Sequence, residues 1–175
     1  MLDRDRAALV VVDVQEAFRP AVVDFETVAR SAGVLIDGAR TLGVPVIVTE
    51  QYPRGLGRTV PEVAAHLDGV GALEKVCFSA VRAEEFDIEG REQVLLCGIE
   101  SHVCVSQTAH DLLDRGLEVH VARDAVSSRS EENRELGIHK MEQAGAVVTS
   151  VETALFELVG AAGTPEFTRV QELVK

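Results

Sequence analysis

The chain has no tryptophan, one tyrosine and six phenylalanines, so aromatic residues make up only 4% of it and offer no visible interface patch. It has three cysteines, Cys77, Cys97 and Cys104, an odd set without a CxxC pair or zinc-ligand spacing. That excludes a disulfide scaffold and a structural metal, and it suits a reducing compartment. Long apolar runs are missing too. The longest, Ala7–Val12, is too short for a signal h-region or a membrane span, and Asp13 ends it. There is no Lys/Arg cluster: 17 basic residues face 29 acidic ones, for a net charge of −12. Such a surface repels phosphate backbones and anionic lipid heads. These absences together predict a soluble, cytoplasmic protein with neither nucleic acid nor membrane as partner.

What is present is a large apolar fraction, 46% of 175 residues, enough for one domain spanning residues 1–175 with a substantial core. Ala7–Val14 reads as a strand buried on both faces. Thr27–Leu42 carries a helical apolar stripe that stops at Gly43 and Pro45, and Val44–Thr49 is a second strand. Residues 50–63, rich in Gly and Pro, predict a long functional loop with a short helix after Pro61. Ala72–Phe78 is a third strand, Val94–Cys97 a fourth, Val103–Arg115 a helix and Leu117–Ala122 a fifth strand. Ser128 with Glu131 resembles a capping box for a helix to about Gln143, and Ala146–Thr149 is a sixth strand. Helices over Glu152–Val159 and Glu166–Val174 close the chain, with Thr164–Pro165 as N-cap and first turn. Strand and helix alternate throughout. The pattern predicts a three-layer, Rossmann-like α/β domain with a parallel sheet, helices on both faces and ligands at the C-terminal strand ends.

Three reactive side chains fall at those ends: Asp13, Lys75 and Cys104. A thiol at a strand-to-helix turn faces backbone N–H groups and a positive helix end, which favour the thiolate. Asp13 at the rim of a buried strand needs a partner if ionised, and Lys75 is the natural one. Cys77 and Cys97, set in apolar strand sequence, read as plain buried thiols. A haloacid-dehalogenase-like phosphotransferase would need a second acid at position 15, where glutamine stands. A dinucleotide-binding module would need a GxGxxG after a strand, and there is none. A disulfide-forming redox sensor would need a resolving cysteine near Cys104, for which Cys97 is poorly placed.

VVVDVQEAF (10–18), LEKVCFSA (73–80), LLCGIESHVCVSQTAHDLLDRG (95–116) and VARDAVSSRS (121–130) resemble, in order, the motifs of the isochorismatase-like cysteine hydrolases. EQYPRGLG, CGIES and SSRS look closest to the isochorismatase domain-containing branch. The resemblance implies a six-stranded parallel sheet in the order 3-2-1-4-5-6. It also implies an Asp13–Lys75–Cys104 triad and a cysteine-dependent hydrolase that cleaves a small amide, carbamoyl or related C–N substrate through a thioester. Asp13 would carry the proton, Lys75 would stabilise the thiolate with a depressed pKa, and Cys104 would attack. A cis peptide at Ile99–Glu100 and an oxyanion hole from the backbone N–H groups of Glu100 and Cys104 follow from the same likeness, as does a homo-oligomer, dimer or tetramer. By position, Gln15, Phe18, Gln51, Tyr52 and His102 are expected to bind substrate. Relatives that hold a metal use an Asp-x-His pair where this chain reads Thr49–Glu50–Gln51–Tyr52, so the expectation is no metal and no cofactor. The competing reading is a diverged member that binds a small ligand or a protein partner without turnover.

Overall fold

Six consecutive apolar residues can be tolerated only where both sides of a strand are covered. In the structure, a computed structural model describing residues 1–175, Ala7–Val12 forms β1 in the middle of the sheet. The other strands are β2 (Val46–Gln51), β3 (Ala72–Lys75), β4 (Gln93–Ile99), β5 (Glu118–Ser127) and β6 (Val147–Thr149). They pair in the order β3-β2-β1-β4-β5-β6, and every ladder is parallel. The helices are α1 (Phe25–Thr41), two short turns α2 (Pro53–Leu56) and α3 (Pro61–Ala64), then α4 (Ser106–Asp114), α5 (Glu131–Gln143), α6 (Val151–Val159) and α7 (Pro165–Leu173). None is long and apolar enough to cross a membrane.

The period of two along β1 sorts its side chains between two cores. Ala7, Leu9 and Val11 join the apolar cluster of α1, α6 and α7, whereas Ala8, Val10 and Val12 join that of α4 and α5. Helices therefore cover both faces, and the order 3-2-1-4-5-6 is the one expected. It reverses between β1 and β4, which leaves a crevice at their C-terminal ends.

The element ends differ from expectation for identifiable reasons. Val44 N–H closes α1 by donating to Ala39 O (2.8 Å), so β2 starts later, and pairing of Gln51 with Lys75 carries it further. Strand β5 runs on to Ser127 because, after a register slip, Gly98 and Ile99 pair with Val126 and Ser127. Strand β3 stops at Lys75, before the exposed Val76 and Phe78. Before α4 comes a five-residue π-helical turn, Ser101–Val105, where a regular helix start was expected. Ser130 rather than Ser128 caps α5, accepting from Asn133 N–H (3.3 Å). Thr164 caps α7 as expected, accepting from Phe167 N–H (3.1 Å).

Candidate active site

Past the end of β1, Asp13 takes a left-handed backbone conformation (φ 53°), which Asp tolerates better than most residues. Its N–H donates to Thr49 O (3.1 Å), and its two carboxylate oxygens have separate donors. Thr49 Oγ1 donates to Oδ1 (2.7 Å) and Lys75 Nζ to Oδ2 (2.6 Å). Lys75 reaches from the edge strand β3 across β2 to do so, and both charged side chains are wholly buried. The ammonium also faces Phe78 O (2.8 Å), Gln51 Oε1 (2.9 Å) and Cys77 O (3.3 Å). Burial pushes the Asp13 carboxyl pKa up, and the Lys75 charge with the Lys75, Thr49 and Cys104 hydrogen bonds oppose that shift.

Cys104 arrives from the other side of the crevice. At Gly98 (φ 118°) an added Cβ would lie 2.0 Å from Val12 O, so only glycine lets β4 pass β1 this closely. The Ile99–Glu100 peptide is cis. Glu100 O then accepts from the N–H groups of both Val103 (3.0 Å) and Val105 (3.2 Å), which winds the wide turn that carries Cys104. Helix α5 seats that turn. A Cβ at Gly137 would come 2.5 Å from Ser101 C, so this glycine permits the contact. Thr108 Oγ1 donates to Cys104 O (2.7 Å) and accepts from Ala80 N–H (2.9 Å), joining the turn to the segment after β3.

The Cys104 thiol lies close enough to the Asp13 carboxylate to feel its charge, and it is only 4% exposed. Contrary to the expected depression, its pKa is pushed well above the ordinary thiol range. Burial is the main cause and the Asp13 charge the next, and Lys75 opposes them only in part. Lys75 is already paired with Asp13, so the resting thiol sees a nearly neutral ion pair rather than a free cation. Cys97 is also pushed up, to about 12, by burial and then by Asp124. Cys77 is half-buried rather than a plain core thiol, with Sγ 3.6 Å from Ser79 O.

The residues expected to bind substrate separate into two groups. Gln15 and Gln51 have internal partners instead. Gln15 Nε2 donates to Gln51 O (3.0 Å) and Gly57 O (2.6 Å), which uses both its N–H groups, and its fully buried Oε1 accepts from Gln51 N–H (2.8 Å). Gln51 Nε2 donates to Val76 O (2.8 Å) while its Oε1 holds Lys75. Phe18 packs on the α1-side core, and His102 Nδ1 lies 3.0 Å from Ser128 Oγ, tying the Cys104 turn to the end of β5. Tyr52 alone is well exposed, in a cleft it shares with Pro53, Arg54, Glu74, Lys75 and Val76.

Glu50 is buried and fastens the 52–60 loop by accepting from Thr59 N–H (2.7 Å), Thr59 Oγ1 (2.8 Å) and Arg58 Nη1 (2.8 Å). No three His, Cys, Asp or Glu side chains converge into a metal-holding group. Two contacts were missed in the sequence. Thr49 sits two residues before Gln51 on one face of β2, a spacing that could have flagged it. Glu100 Oε2 accepts from Arg129 N–H (2.9 Å) and Nε (3.0 Å), a pairing with no local signal.

A buried acid–lysine pair on one wall and a cysteine turn on the other thus flank the crevice at the β1/β4 switch point of a Rossmann-like, all-parallel α/β domain. The isochorismatase domain family model matches residues 7–153, and the chain belongs to that family. It is 43% identical over 174 residues to mouse (Mus musculus) isochorismatase domain-containing protein 2A, covering 98% of this chain and 84% of that one. It superposes on the MAR1 ribonuclease structure from Caenorhabditis elegans with a TM-score of 0.94 and 44% identity, covering 99% of this chain and 91% of that one. It also superposes on YcaC from Pseudomonas aeruginosa, solved with hexane-2,5-diol and covalent acrylamide, with a TM-score of 0.89 and 25% identity, covering 98% and 90%.

Proposed function

We propose that residues 1–175 form one cysteine hydrolase domain that cleaves a small amide, carbamoyl or related C–N substrate through a thioester on Cys104. The observation that carries this reading is the wholly buried Asp13 carboxylate, held by Lys75 at 2.6 Å, with the Cys104 thiol close enough to feel its charge. The resting nucleophile is the thiol. As Sγ bonds to the substrate carbonyl carbon, its proton passes to Asp13, whose proton affinity burial has raised. Once Asp13 is neutral, Lys75 is released from it electrostatically and stabilises the negative charge developing on sulfur and substrate. The backbone N–H groups of Glu100 and Cys104 are the candidate donors to the carbonyl oxygen as it becomes an oxyanion. Collapse breaks the C–N bond, and the amine leaves with the proton from Asp13. Water then attacks the thioester, gives its proton to Asp13, and Sγ departs to recover it.

The partner in this reading is a small molecule. The net charge of −12 argues against a phosphate-rich substrate such as the RNA implied by the name of the nematode ribonuclease relative. Exposed Tyr52, Val76 and Phe78 supply apolar surface for a dimer or tetramer, and three free thiols suit the cytoplasm. The near-complete burial of Cys104 favours, as a second reading, a member that binds ligand without turnover. Screening small amides, carbamates and ureides for released ammonia, with Cys104→Ser as control, tests both. Release by the wild type alone supports hydrolysis, and no release across the panel favours binding.

A further inference from the structure

The sheet order puts β2 between the strand that ends at Asp13 and the strand that ends at Lys75. Thr49 is in register with Val12, the neighbour of Asp13, and Gln51 with Lys75 itself. Residues two apart on a strand share a face, so one short stretch of β2 presents a hydroxyl to the carboxylate and an amide to the ammonium. Thr49 Oγ1 donates to Asp13 Oδ1 at 2.7 Å, and Gln51 Oε1 accepts a hydrogen bond from Lys75 Nζ at 2.9 Å. The Gln51 amide is fixed in turn by Val76 O, and the Gln51 backbone by the Gln15 amide. Thr49 is itself fully buried, and Asp13 Oδ1 is where its hydroxyl proton goes.

We propose that Thr49 is a positioning residue that sets the basicity of Asp13: its hydroxyl holds the carboxylate in the ionised form that can accept the Cys104 proton. A donor to the ionised form lowers a carboxyl pKa, and here it works against burial, which raises it. Without Thr49 Oγ1, Asp13 would stay protonated to higher pH and the thiol would lose its acceptor. Gln51 performs the matching task on Lys75, keeping the ammonium turned toward Oδ2. The inference rests on the hydrolase reading, but its test needs no substrate.

The rate of Cys104 alkylation by iodoacetamide is measured against pH by peptide mapping, on the full chain, for the wild type, Thr49→Val, Thr49→Ser and Asp13→Asn. The wild-type rate is expected to fall on the acid side as Asp13 protonates, and Asp13→Asn should lack that limb. Loss of a hydrogen bond to a charged group predicts that Thr49→Val moves the limb up by about one pH unit. Thr49→Ser, which keeps the hydroxyl, should restore the wild-type limb, a rescue that a purely packing role for Thr49 would not produce. Coincident limbs in wild type and Thr49→Val overturn the inference alone, as does a Thr49→Ser limb that moves with Val. If Cys104 in the wild type alkylates no faster than Cys97 at any pH, the hydrolase reading fails and this inference with it.

Discussion

Cys97 and Cys104 lie seven residues apart, both buried, both with thiols pushed up, yet they occupy different regions of the molecule. Cys97 is in the interior of β4 among apolar side chains of the α1-side core. Cys104 is in the turn just beyond, on the α4 side, close enough to Asp13 to feel its charge. Burial alone makes a thiol inert. Burial beside a carboxylate gives a thiol a candidate proton acceptor, the role proposed above for Asp13.

The largest effect should come from removing the sulfur. Cys104→Ser is expected to abolish amide hydrolysis with the fold intact by circular dichroism, whereas Cys97→Ser should keep turnover and lose stability. Activity in Cys104→Ser equal to wild type would erase the distinction between the two regions. Asp13→Asn removes the acceptor and should lower kcat about 10²- to 10⁴-fold, as loss of a general base does, measured by steady-state ammonia release.

Lys75→Ala leaves Asp13 buried and unpaired. Breaking a buried pair in this way is expected to cost about 3–5 kcal/mol in urea unfolding at pH 7, less if Asp13 takes up a proton. Because burial raises the Asp13 pKa in the folded state, the folded protein binds that proton more readily than the unfolded chain. Asp13 therefore favours folding most at low pH and less as pH rises from about 4 through its raised value, and the Lys75→Ala deficit should widen over that window. Gly137→Ala drives a methyl into the Ser101 backbone and should cost about 1–3 kcal/mol by the same unfolding assay while slowing Cys104 alkylation, because α5 seats the nucleophile turn.

The smallest effect lies at the opposite end of the sheet. Glu118 is held down to about 2 by hydrogen bonds from Gln93 and His120. Its contribution is present above about pH 4.5, its unfolded value, and fades as pH falls toward 2. Glu118→Gln should flatten that acid slope in thermal melts without touching alkylation of either cysteine. A change in Cys104 reactivity there would show that the two ends of the sheet are not independent.

The linear sequence was enough for the alternation of strands and helices, because an apolar run such as Ala7–Val12 and a cap such as Thr164–Pro165 act through neighbours a few residues away. Their ends were less legible. Strand β5 extends to Ser127 only because β4 slips register beside it, and β2 extends to Gln51 only because β3 lies alongside. Asp13, Lys75 and Cys104 could be singled out by residue type and by resemblance. The partners of Gln15 and Gln51 could not, since an amide at a strand end looks the same whether it meets substrate or backbone. The direction of the Cys104 shift also needed three dimensions. Chain position at a helix start argued for a thiolate, but burial and the contact with an already neutralised Asp13–Lys75 pair decide for the thiol. Local patterning thus determined which elements form. Only the packing of β3, β2, β1 and β4 side by side decided which charges meet, because Coulomb and desolvation energies depend on distance through space and not along the chain.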